Sequence, residues 1–159
     1  MVMNKMKEII GGRVKIMITG SAPLPVEIGD LLKCAFCCPI LEVYGASEGT
    51  VFTMCTPDNY LSGNVGGPFP NCEVKIKDFA ELNYLCTDKD EFGRNTPRGE
   101  ICVRGPSIFK GYYNDPEKTK EALDEDGWYS TGDIGVVLPN GTFKIIDRKK
   151  NLLRLSKGQ

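Results

Sequence analysis

Val43-Tyr44-Gly45-Ala46-Ser47-Glu48-Gly49-Thr50 combines an aromatic ring, glycines, a hydroxyl and a carboxylate in one short segment. An apolar run leads into it, which predicts a short buried strand that ends at Tyr44, with the backbone turning at Gly45. Ser47 and Glu48 then follow the carboxyl end of a strand, which is where ligands bind in open α/β sheets. The segment therefore predicts candidate binding residues at one sheet edge.

Two interpretations of these side chains are open at this point. An aromatic ring can stack on a flat base, a hydroxyl can bond a phosphate oxygen, and a carboxylate is a hard oxygen ligand for Mg²⁺. The alternative is structural: a buried tyrosine, a tight turn and a serine at the N-cap of a helix. Taken alone, the segment favours the structural interpretation.

The composition is ordinary for a globular protein with one core, since 41% of the 159 residues are hydrophobic and 26% are charged. A net charge of −1 argues against a general nucleic-acid-binding protein. Residues 148–159 are basic without an acid: Arg148, Lys149, Lys150, Arg154 and Lys157. Such a run is typical of a solvated end, or of a segment that faces phosphate or another domain.

The sequence excludes several kinds of catalytic and metal site. It has no histidine, which removes Ser-His-Asp and Cys-His catalysis and every histidine-ligated metal. Seven cysteines, an odd number, favour free thiols, and Cys34 and Cys37 form a C-x-x-C that no second pair follows, which disfavours zinc or redox chemistry. With no signal peptide and no apolar run near the roughly 20 residues of a membrane span, these features predict a reducing compartment.

The first third of the chain predicts a βαβ unit. Residues 13–19 alternate between apolar and polar and predict a strand with Val14, Ile16 and Ile18 on one face, followed by a tight loop at residues 20–23. Apolar residues between positions 25 and 36 recur at helical spacing, and Pro39 ends that helix before the strand at residues 40–44. Strand, helix and strand in this order indicate a parallel pair.

The rest of the chain predicts a β-rich region. Glycines and prolines at residues 63–70 mark a boundary, and strands are predicted at residues 73–77, 100–104, 129–137 and 142–146. Asp115-Pro116-Glu117 predicts a helix start with a capping aspartate, and Pro139-Asn140-Gly141 predicts a hairpin. Residues 78–98 are polar and predict a long surface loop.

Two further clusters carry charge at positions that could serve a site. Ser130-Thr131-Gly132-Asp133 places a carboxylate beside a glycine within a strand, where glycine often marks the close approach of a ligand or another backbone. Asp147-Arg148-Lys149-Lys150 ends the hairpin with a charge run. Each also has a structural interpretation: a strand bend for the first and a solvated end for the second.

Several short motifs follow one another in a fixed order. They are Gly20-Ser21-Ala22-Pro23-Leu24, Tyr44-Gly45-Ala46-Ser47-Glu48, Arg98-Gly99-Glu100, Gly111-Tyr112, Trp128-Tyr129-Ser130-Thr131-Gly132-Asp133 and Asp147-Arg148-Lys149-Lys150. In this order and spacing they resemble core motifs of the adenylate-forming acyl-CoA synthetases over nearly the whole chain. Phe36-Cys37-Cys38-Pro39 and residues 147–152 are similar to the eukaryotic long-chain fatty-acid type. This resemblance reverses the structural interpretation of residues 43–50.

The resemblance implies an α/β fold that is a fragment of the N-terminal domain of an adenylate-forming enzyme. Residues 1–66 would end its α/β AMP-binding subdomain, residues 67–147 would form a β-rich, barrel-like subdomain, and residues 148–159 would be a hinge towards a C-terminal domain. It also implies a two-step reaction. A fatty carboxylate attacks the α-phosphate of Mg-ATP to give acyl-adenylate and pyrophosphate, and the thiol of coenzyme A then displaces AMP.

The resemblance further implies which residues bind the nucleotide. Gly20, Ser21, Ala22 and Pro23 would line the adenine pocket with backbone. Tyr44, followed by Gly45, would stack on the base of ATP or AMP, so that Tyr44→Phe would be nearly silent. Asp133 would accept the ribose hydroxyls, with Arg148 beside it.

The residues implied for the chemical steps are fewer. Ser47 would bond the α-phosphate and Glu48 would hold Mg²⁺, while Asp147 would be the hinge about which a C-terminal domain turns between the two steps. Ser47 stands where the family usually has threonine, which keeps the hydroxyl. Gln159 stands where a glutamate commonly follows the last glycine.

Two parts of the family pattern are absent from the sequence: the Ser/Thr/Gly-rich phosphate loop with its lysine, and the C-terminal domain with its lysine. The expectation is therefore a piece of a longer enzyme that is inactive alone. Its partners would be the small molecules fatty acid, ATP and coenzyme A, with no nucleic acid. Membrane association would come only through other parts of the full-length enzyme, which is expected on the cytoplasmic side, at the endoplasmic reticulum or another organelle membrane.

Three other hypotheses stay open. The chain could belong to an adenylate-forming ligase for an aryl, short-chain or amino acid, since the residues that shape the acyl tunnel lie mostly upstream of Met1. It could be an inactive nucleotide-binding remnant. It could also be a zinc-stabilised interaction module, which would bind metal stoichiometrically.

Overall fold

Two four-stranded sheets organise the chain in the computed structural model, which describes residues 2–59 and 61–156. The elements are α1 (Val2–Ile9), β1 (Met17–Thr19), α2 (Val26–Phe36), β2 (Ile40–Ala46), β3 (Thr50–Met54), β4 (Gly67–Pro68), β5 (Glu73–Lys77), β6 (Arg98–Arg104), α3 (Pro116–Ala122), β7 (Tyr129–Val137), β8 (Phe143–Arg148) and α4 (Lys149–Ser156). A 3₁₀ helix at Ala80–Leu82 lies between β5 and β6.

The first sheet has the order β1-β2-β3-β4 and contains the predicted βαβ unit. β1 and β2 are parallel, with Met17 opposite Ile40, which confirms the predicted parallel pair. The predicted strand at residues 13–19 is wrong in length, because only Met17–Thr19 finds a partner on β2. The other two pairs in this sheet are antiparallel. The sheet is therefore mixed, and β2 is the strand that joins its parallel and antiparallel parts.

The turn predicted at Gly45 is wrong, because β2 continues to Ala46 and the chain turns at residues 47–49. Gly45 lies inside the strand at an irregularity in the register with β3. A Cβ at Gly45 would lie 1.7 Å from the backbone oxygen of Thr50, so the close approach of the two strands requires glycine. The alternative of a helix N-cap at Ser47 is also wrong, since a hairpin turn to β3 follows.

The second sheet has the order β5-β6-β7-β8, and its neighbouring strands are all antiparallel. The strands predicted at residues 73–77 and 129–137 are confirmed residue for residue, and the other two are confirmed with shifted ends. The side chain of Asp115 caps α3 as predicted, accepting a hydrogen bond from the backbone N–H of Lys118 at 3.0 Å. The hairpin between β7 and β8 is closed by Gly141, whose N–H donates to Leu138 at 2.8 Å.

Both sheets share one hydrophobic core. Phe52 of β3 packs with Ile101 and Val103 of β6 and with Tyr129 of β7. Backbone hydrogen bonds also join β8 to the segment just before β4. The division into subdomains at residues 66 and 147 stays a prediction, and the shared core means that the sheets stabilise each other.

The apolar residues of the βαβ unit are less buried than their pattern predicts. Ile18 on β1 and Leu31 on α2 are 64% and 61% exposed, whereas Ala35 is buried. The periodicity therefore predicts the helix correctly but not, within the described residues, what its apolar face packs against.

The loop and the basic end also differ from the sequence-based expectation. The surface loop predicted at residues 78–98 contains a 3₁₀ helix and buries Phe79 to 2% exposure. The basic run that suggested a solvated end forms α4, in which Lys149 pairs with Glu100 at 3.1 Å. Lys157 and Gln159, on which two further expectations rested, lie outside the described residues.

All seven cysteines are free thiols. Among residues 2–59 and 61–156, no helix has the length and apolar character needed to cross a membrane.

Candidate functional site

A cleft of about 370 Å³ lies where the two sheets meet, and we call it the junction cleft. The predicted site residues that line it are Ser21, Ala22, Pro23, Tyr44, Gly45, Asp133, Asp147 and Arg148. They come from the loop after β1, the end of β2, the middle of β7 and the end of β8. Three predicted site residues are not part of its lining: Gly20, Ser47 and Glu48. The structure thus brings together the residues predicted for base and ribose except Gly20, and leaves Ser47 and Glu48, predicted for phosphate and metal, outside the cleft.

Gly20 lies outside the lining of the junction cleft and packs closely against Val43, which is part of that lining. A Cβ at Gly20 would lie 2.7 Å from Cγ2 and 3.0 Å from the backbone oxygen of Val43. Ser21 follows with a φ of +72°, in the left-handed region. Glycine at position 20 therefore allows the loop after β1 to approach Val43 of β2 closely.

Asp133 is a buried carboxylate in the lining of the junction cleft, with 7% of its surface exposed. Its Oδ2 accepts a hydrogen bond from the Tyr44 hydroxyl at 2.7 Å, and its Oδ1 lies 2.8 Å from Nε of Arg148. Burial raises the pKa of Asp133 above its ordinary value of 3.8, and the Tyr44 hydroxyl and the Arg148 charge oppose that rise. Two donors from different sheets therefore favour the ionised carboxylate.

The backbone of β7 and β8 explains how Asp133 meets Arg148. The two residues are directly opposite each other in the strand register. Gly132 has a φ of +73°, and a Cβ there would meet nothing within 4 Å. No protein backbone approaches this glycine closely, so its role is the left-handed conformation, which agrees with the strand-bend interpretation of the sequence.

Tyr44 joins the junction cleft to the core. Its half-buried ring lies edge-on to Phe52, with the ring centroids 5.5 Å apart. Burial, and then the charge of Asp133, raise the pKa of the Tyr44 hydroxyl far above its ordinary value of 10.0. The hydroxyl therefore stays protonated and remains a hydrogen-bond donor to the carboxylate.

Asp147 fixes the direction in which the chain leaves β8. Its carboxylate accepts a hydrogen bond from the Asn151 side-chain amide at 2.9 Å and from the backbone N–H of Arg148 at 2.6 Å. These two bonds hold the pKa of Asp147 below its ordinary value of 3.8. The residue predicted as a hinge thus lies at the junction of a strand and α4, where its side chain stabilises the first turn of the helix.

Glu48 lies in the turn between β2 and β3 and is held by one segment after β6. Its Oε1 accepts a hydrogen bond from the Tyr112 hydroxyl at 2.9 Å, and its backbone carbonyl accepts one from the N–H of Phe109 at 2.7 Å. The neighbouring Ser47 is exposed. The hairpin turn therefore presents a hydroxyl and an anchored carboxylate side by side.

The single carboxylate of Glu48 fits a Mg²⁺ ion that arrives with a nucleotide. Within the described part of the chain, no group of three or more His, Cys, Asp or Glu side chains could hold a metal ion by itself. In nucleotide sites Mg²⁺ usually takes one or two carboxylates, and phosphates and water supply its other ligands. One carboxylate agrees with a Mg²⁺ ion whose other ligands are phosphate oxygens and water.

The sequence does not predict the hydrogen bond between Tyr112 and Glu48. Gly111-Tyr112 is one of the motifs that carry the resemblance, but the sequence gives it no role. The partner of the Tyr112 hydroxyl is 64 positions away, which no local pattern reveals.

Residues 1–113 match the protein family described as AMP-binding enzyme, and they make up more than half of the chain. The chain belongs to the AMP-binding enzyme family. Its fold agrees with this membership, since the A domain of carboxylic acid reductase from Segniliparus rugosus, solved with AMP and a co-purified carboxylic acid, superposes with a TM-score of 0.76. That comparison has 32% identity and covers 93% of this chain and 21% of the other. The mixed α/β fold of adenylate-forming enzymes, predicted from the motifs, is confirmed.

Curated relatives match the chain from end to end. It is 49% identical to fatty acyl-CoA synthetase A of Dictyostelium discoideum, over 100% of this chain and 23% of the relative. It is 52% identical to long chain acyl-CoA synthetase 7, peroxisomal, of Arabidopsis thaliana, over 100% of this chain and 22% of the relative. The chain therefore spans about a fifth of the length of these relatives, and the resemblance to long-chain acyl-CoA synthetases predicted from the motifs is confirmed.

Proposed function

We propose that the protein activates long-chain fatty acids with ATP and transfers the acyl group to coenzyme A, releasing pyrophosphate and AMP. In this proposal the chain contributes the nucleotide-binding part of the enzyme. The observation that carries it is the identity of about half of all positions, over the whole chain, with proteins named as fatty acyl-CoA and long chain acyl-CoA synthetases. The junction cleft adds a geometry that suits a nucleotide.

The junction cleft is proposed to bind the adenosine of ATP. Asp133 has two oxygens with about four acceptor positions, of which Tyr44 and Arg148 use two, so two remain for ribose hydroxyls. The Tyr44 ring and the wall formed by residues 20–23 would hold the base. The Arg148 side chain is 68% exposed, so its guanidinium can also reach a ligand in the cleft.

Ser47 and Glu48 are proposed to act on the phosphate side. The first step forms a bond between a carboxylate oxygen and the α-phosphorus and breaks the bond to pyrophosphate, which brings two anions together. Positioning and neutralisation of charge therefore determine the rate. Ser47 would donate to an α-phosphate oxygen, and Glu48 would fix the position of the metal-bound phosphates. Bound Mg²⁺ would supply positive charge that neutralises the phosphates.

In the second step the thiol of coenzyme A loses its proton to water and attacks the acyl carbon. A C–S bond forms, and AMP leaves with the electron pair of the broken C–O bond. Asp147 would serve as the hinge for a C-terminal domain between the steps. Its position at the end of β8, directly before α4, supports this role, because hinge residues usually lie at the ends of elements.

Location follows only as a proposal from the relatives. The Arabidopsis relative is named as peroxisomal. We place the enzyme at an organelle membrane, with its active site on the cytoplasmic side and the endoplasmic reticulum as the first compartment to examine. Fluorescence microscopy of the tagged full-length protein, with markers for both organelles, tests this.

The full-length gene product tests the proposed reaction through exchange of labelled pyrophosphate into ATP. Palmitate should support exchange, octanoate less, and benzoate and amino acids not at all, and adding coenzyme A should yield palmitoyl-CoA. Asp133→Ala should lower the exchange rate at subsaturating ATP at least about tenfold. Exchange that depends only on an aryl or amino acid would indicate another adenylate-forming ligase. Nucleotide binding without exchange would indicate an inactive remnant.

A further inference from the structure

We propose that Tyr112 is a positioning residue for Glu48, holding its carboxylate where the proposed Mg²⁺ ion of the nucleotide binds. This inference rests on the proposed function, and it gives a role to the Gly111-Tyr112 motif that the sequence leaves without one. The chemistry is that of a neutral hydroxyl donating to one oxygen of a metal-binding carboxylate.

Glu48 is anchored twice by the same short segment. The Tyr112 hydroxyl donates to its Oε1 at 2.9 Å, and the Phe109 N–H donates to its backbone carbonyl at 2.7 Å. With the backbone and the side chain both held, the carboxylate has one preferred orientation. Only Oε1 takes part in the bond from Tyr112, so the second oxygen can serve as a ligand.

Tight packing in the turn limits how else Glu48 could move. A Cβ at the adjacent Gly49 would lie 2.5 Å from the Phe52 ring and 2.6 Å from Cδ1 of Ile108. The hairpin turn is thus closely packed against Phe52 of β3 and against Ile108 of the segment that carries Tyr112. A shift of that segment would move the turn with it.

Tyr112 is itself held on two sides. Its ring lies edge-on to Phe109, with centroids 4.8 Å apart, and its backbone N–H donates to Oγ1 of Thr119 on α3 at 2.8 Å. Gly111 before it has a φ of +144°, and a Cβ there would lie 2.7 Å from the Thr119 side chain. Contacts with α3 and with Phe109 therefore hold Tyr112 in addition to its bond to Glu48.

Orientation matters more for Mg²⁺ than for most cations, because Mg²⁺ requires near-ideal octahedral geometry. Groups that hydrogen-bond to a metal ligand typically change metal affinity by about 10–100-fold when they are removed. Loss of the Tyr112 hydroxyl should therefore weaken metal binding without removing the ligand itself.

The test compares Tyr112→Phe with Tyr113→Phe in the full-length protein. Tyr113 is the neighbouring tyrosine, is 92% exposed, and serves as a matched control. Mn²⁺ replaces Mg²⁺ as a paramagnetic probe, and its binding in the presence of α,β-methylene-ATP is measured by electron paramagnetic resonance. Affinity for the nucleotide without metal and the thermal unfolding midpoint are measured alongside.

We expect Tyr112→Phe to raise the dissociation constant of Mn²⁺ about tenfold, and Tyr113→Phe to leave it unchanged. Metal-free nucleotide affinity should not change in either variant, and the Mg²⁺ concentration for half-maximal pyrophosphate exchange should rise in Tyr112→Phe alone. Phenylalanine keeps the ring contact with Phe109, so the fold should be retained. An unchanged Mn²⁺ affinity in Tyr112→Phe would overturn the positioning role.

Glu48→Gln separates this outcome from a failure of the proposed function. If Glu48→Gln weakens Mn²⁺ binding and Tyr112→Phe does not, Glu48 is a ligand and the positioning role is wrong. If Glu48→Gln leaves Mn²⁺ binding unchanged, both the metal role and the positioning role fall. Absence of fatty-acid-dependent exchange in the wild type would reject only the proposed reaction, because Mn²⁺ binding is measured without turnover.

Discussion

Replacing Tyr44 by phenylalanine separates the contribution of its hydroxyl from that of its ring. The hydroxyl donates to Oδ2 of Asp133 at 2.7 Å, whereas the ring contacts Phe52 and can stack on a base. If stacking were the whole contribution, Tyr44→Phe would be nearly silent, as the sequence predicts. The hydrogen bond changes this expectation, because it orients the carboxylate proposed to accept the ribose hydroxyls.

The size of the effect follows from the kind of bond that is lost. Hydrogen bonds to charged groups typically contribute about 1.5–3 kcal/mol. Asp133 is only 7% exposed, so water replaces the hydroxyl poorly, but Arg148 remains 2.8 Å from the other oxygen. The loss should therefore lie at the lower end, about 1.5 kcal/mol, which is roughly tenfold in the dissociation constant of ATP.

Calorimetric titration of the full-length protein with ATP and with 2′,3′-dideoxy-ATP measures this effect. Because the Tyr44 hydroxyl would act through the carboxylate proposed to bind ribose, Tyr44→Phe should lose roughly tenfold in affinity for ATP and little for the dideoxy analogue. Tyr44→Ala should lose affinity for both, by about 1–3 kcal/mol from stacking. The exposed Tyr113→Phe serves as the control. Wild-type affinity for ATP in Tyr44→Phe, or an equal loss for both nucleotides, would refute the reasoning.

Three further predictions test the charges and the backbone. Burial raises the pKa of Asp133, and the protonated acid would accept hydrogen bonds from ribose hydroxyls more weakly than the ionised carboxylate does. The affinity of the wild type for ATP should therefore fall as the pH drops through that raised pKa. ATP titrations at a series of pH values measure this, and the same pH dependence in Asp133→Asn would contradict the prediction. Lys149→Met removes the cation that lies 3.1 Å from the Glu100 carboxylate, whose side chain is only 9% exposed. Because the lysine itself is 35% exposed, the free energy of unfolding measured in urea should fall by only about 2 kcal/mol. An unchanged free energy of unfolding would mean that the ion pair is not stabilising. Gly45→Ala places a Cβ 1.7 Å from a backbone oxygen and should lower the free energy of unfolding by about 3 kcal/mol or more. In the control Gly67→Ala the added Cβ meets nothing within 4 Å, so the free energy of unfolding should change by no more than about 0.5 kcal/mol. Equal effects of the two substitutions would refute the role of close approach at Gly45.

Strands with one buried face were predictable from the sequence. β5 alternates between exposed and half-buried residues along Glu73–Lys77, and its period of two gives its bounds residue for residue. β3 has no such signal, since Phe52 and Thr53 are neighbours and both are fully buried. A strand buried on both faces gives no alternation, and here only its pairing with β2 and β4 defines it.

Strand ends depend on partners, which the sequence does not display. Residues 13–16 alternate like the rest of the predicted first strand, but β2 begins at Ile40, opposite Met17, so the earlier residues have nothing to pair with. The helix α4 had a local signal that the basic residues obscured, because Leu152, Leu153 and Leu155 recur at helical spacing. The length of β1 thus depends on tertiary structure. The sequence-based prediction misses α4 because it gives the charge run more weight than the periodicity of the leucines.

The members of the candidate site were predictable, but their contacts were not. The motif resemblance names Tyr44, Asp133 and Arg148, and the structure brings all three to one cleft. The bond between Tyr44 and Asp133 joins residues 89 positions apart, and it forms only because the end of β2 lies against the middle of β7. A motif predicts which residues act together; the packing of the two sheets determines which of them orients another.

The two carboxylates proposed to bind ribose and metal are held in the same way, each by a tyrosine hydroxyl. Those hydroxyls lie at the two ends of one series of ring contacts, 4.8–6.0 Å between centroids, that runs through Tyr44, Phe52, Tyr129, Phe109 and Tyr112. Phe52 and Tyr129 in the middle belong to the shared core and are at most 5% exposed. Because close-packed interiors transmit small displacements, a change in these rings should move Asp133 and Glu48 together. The aromatic core therefore sets the distance between the proposed ribose and metal sites, and a substitution there should change nucleotide binding without contacting the nucleotide.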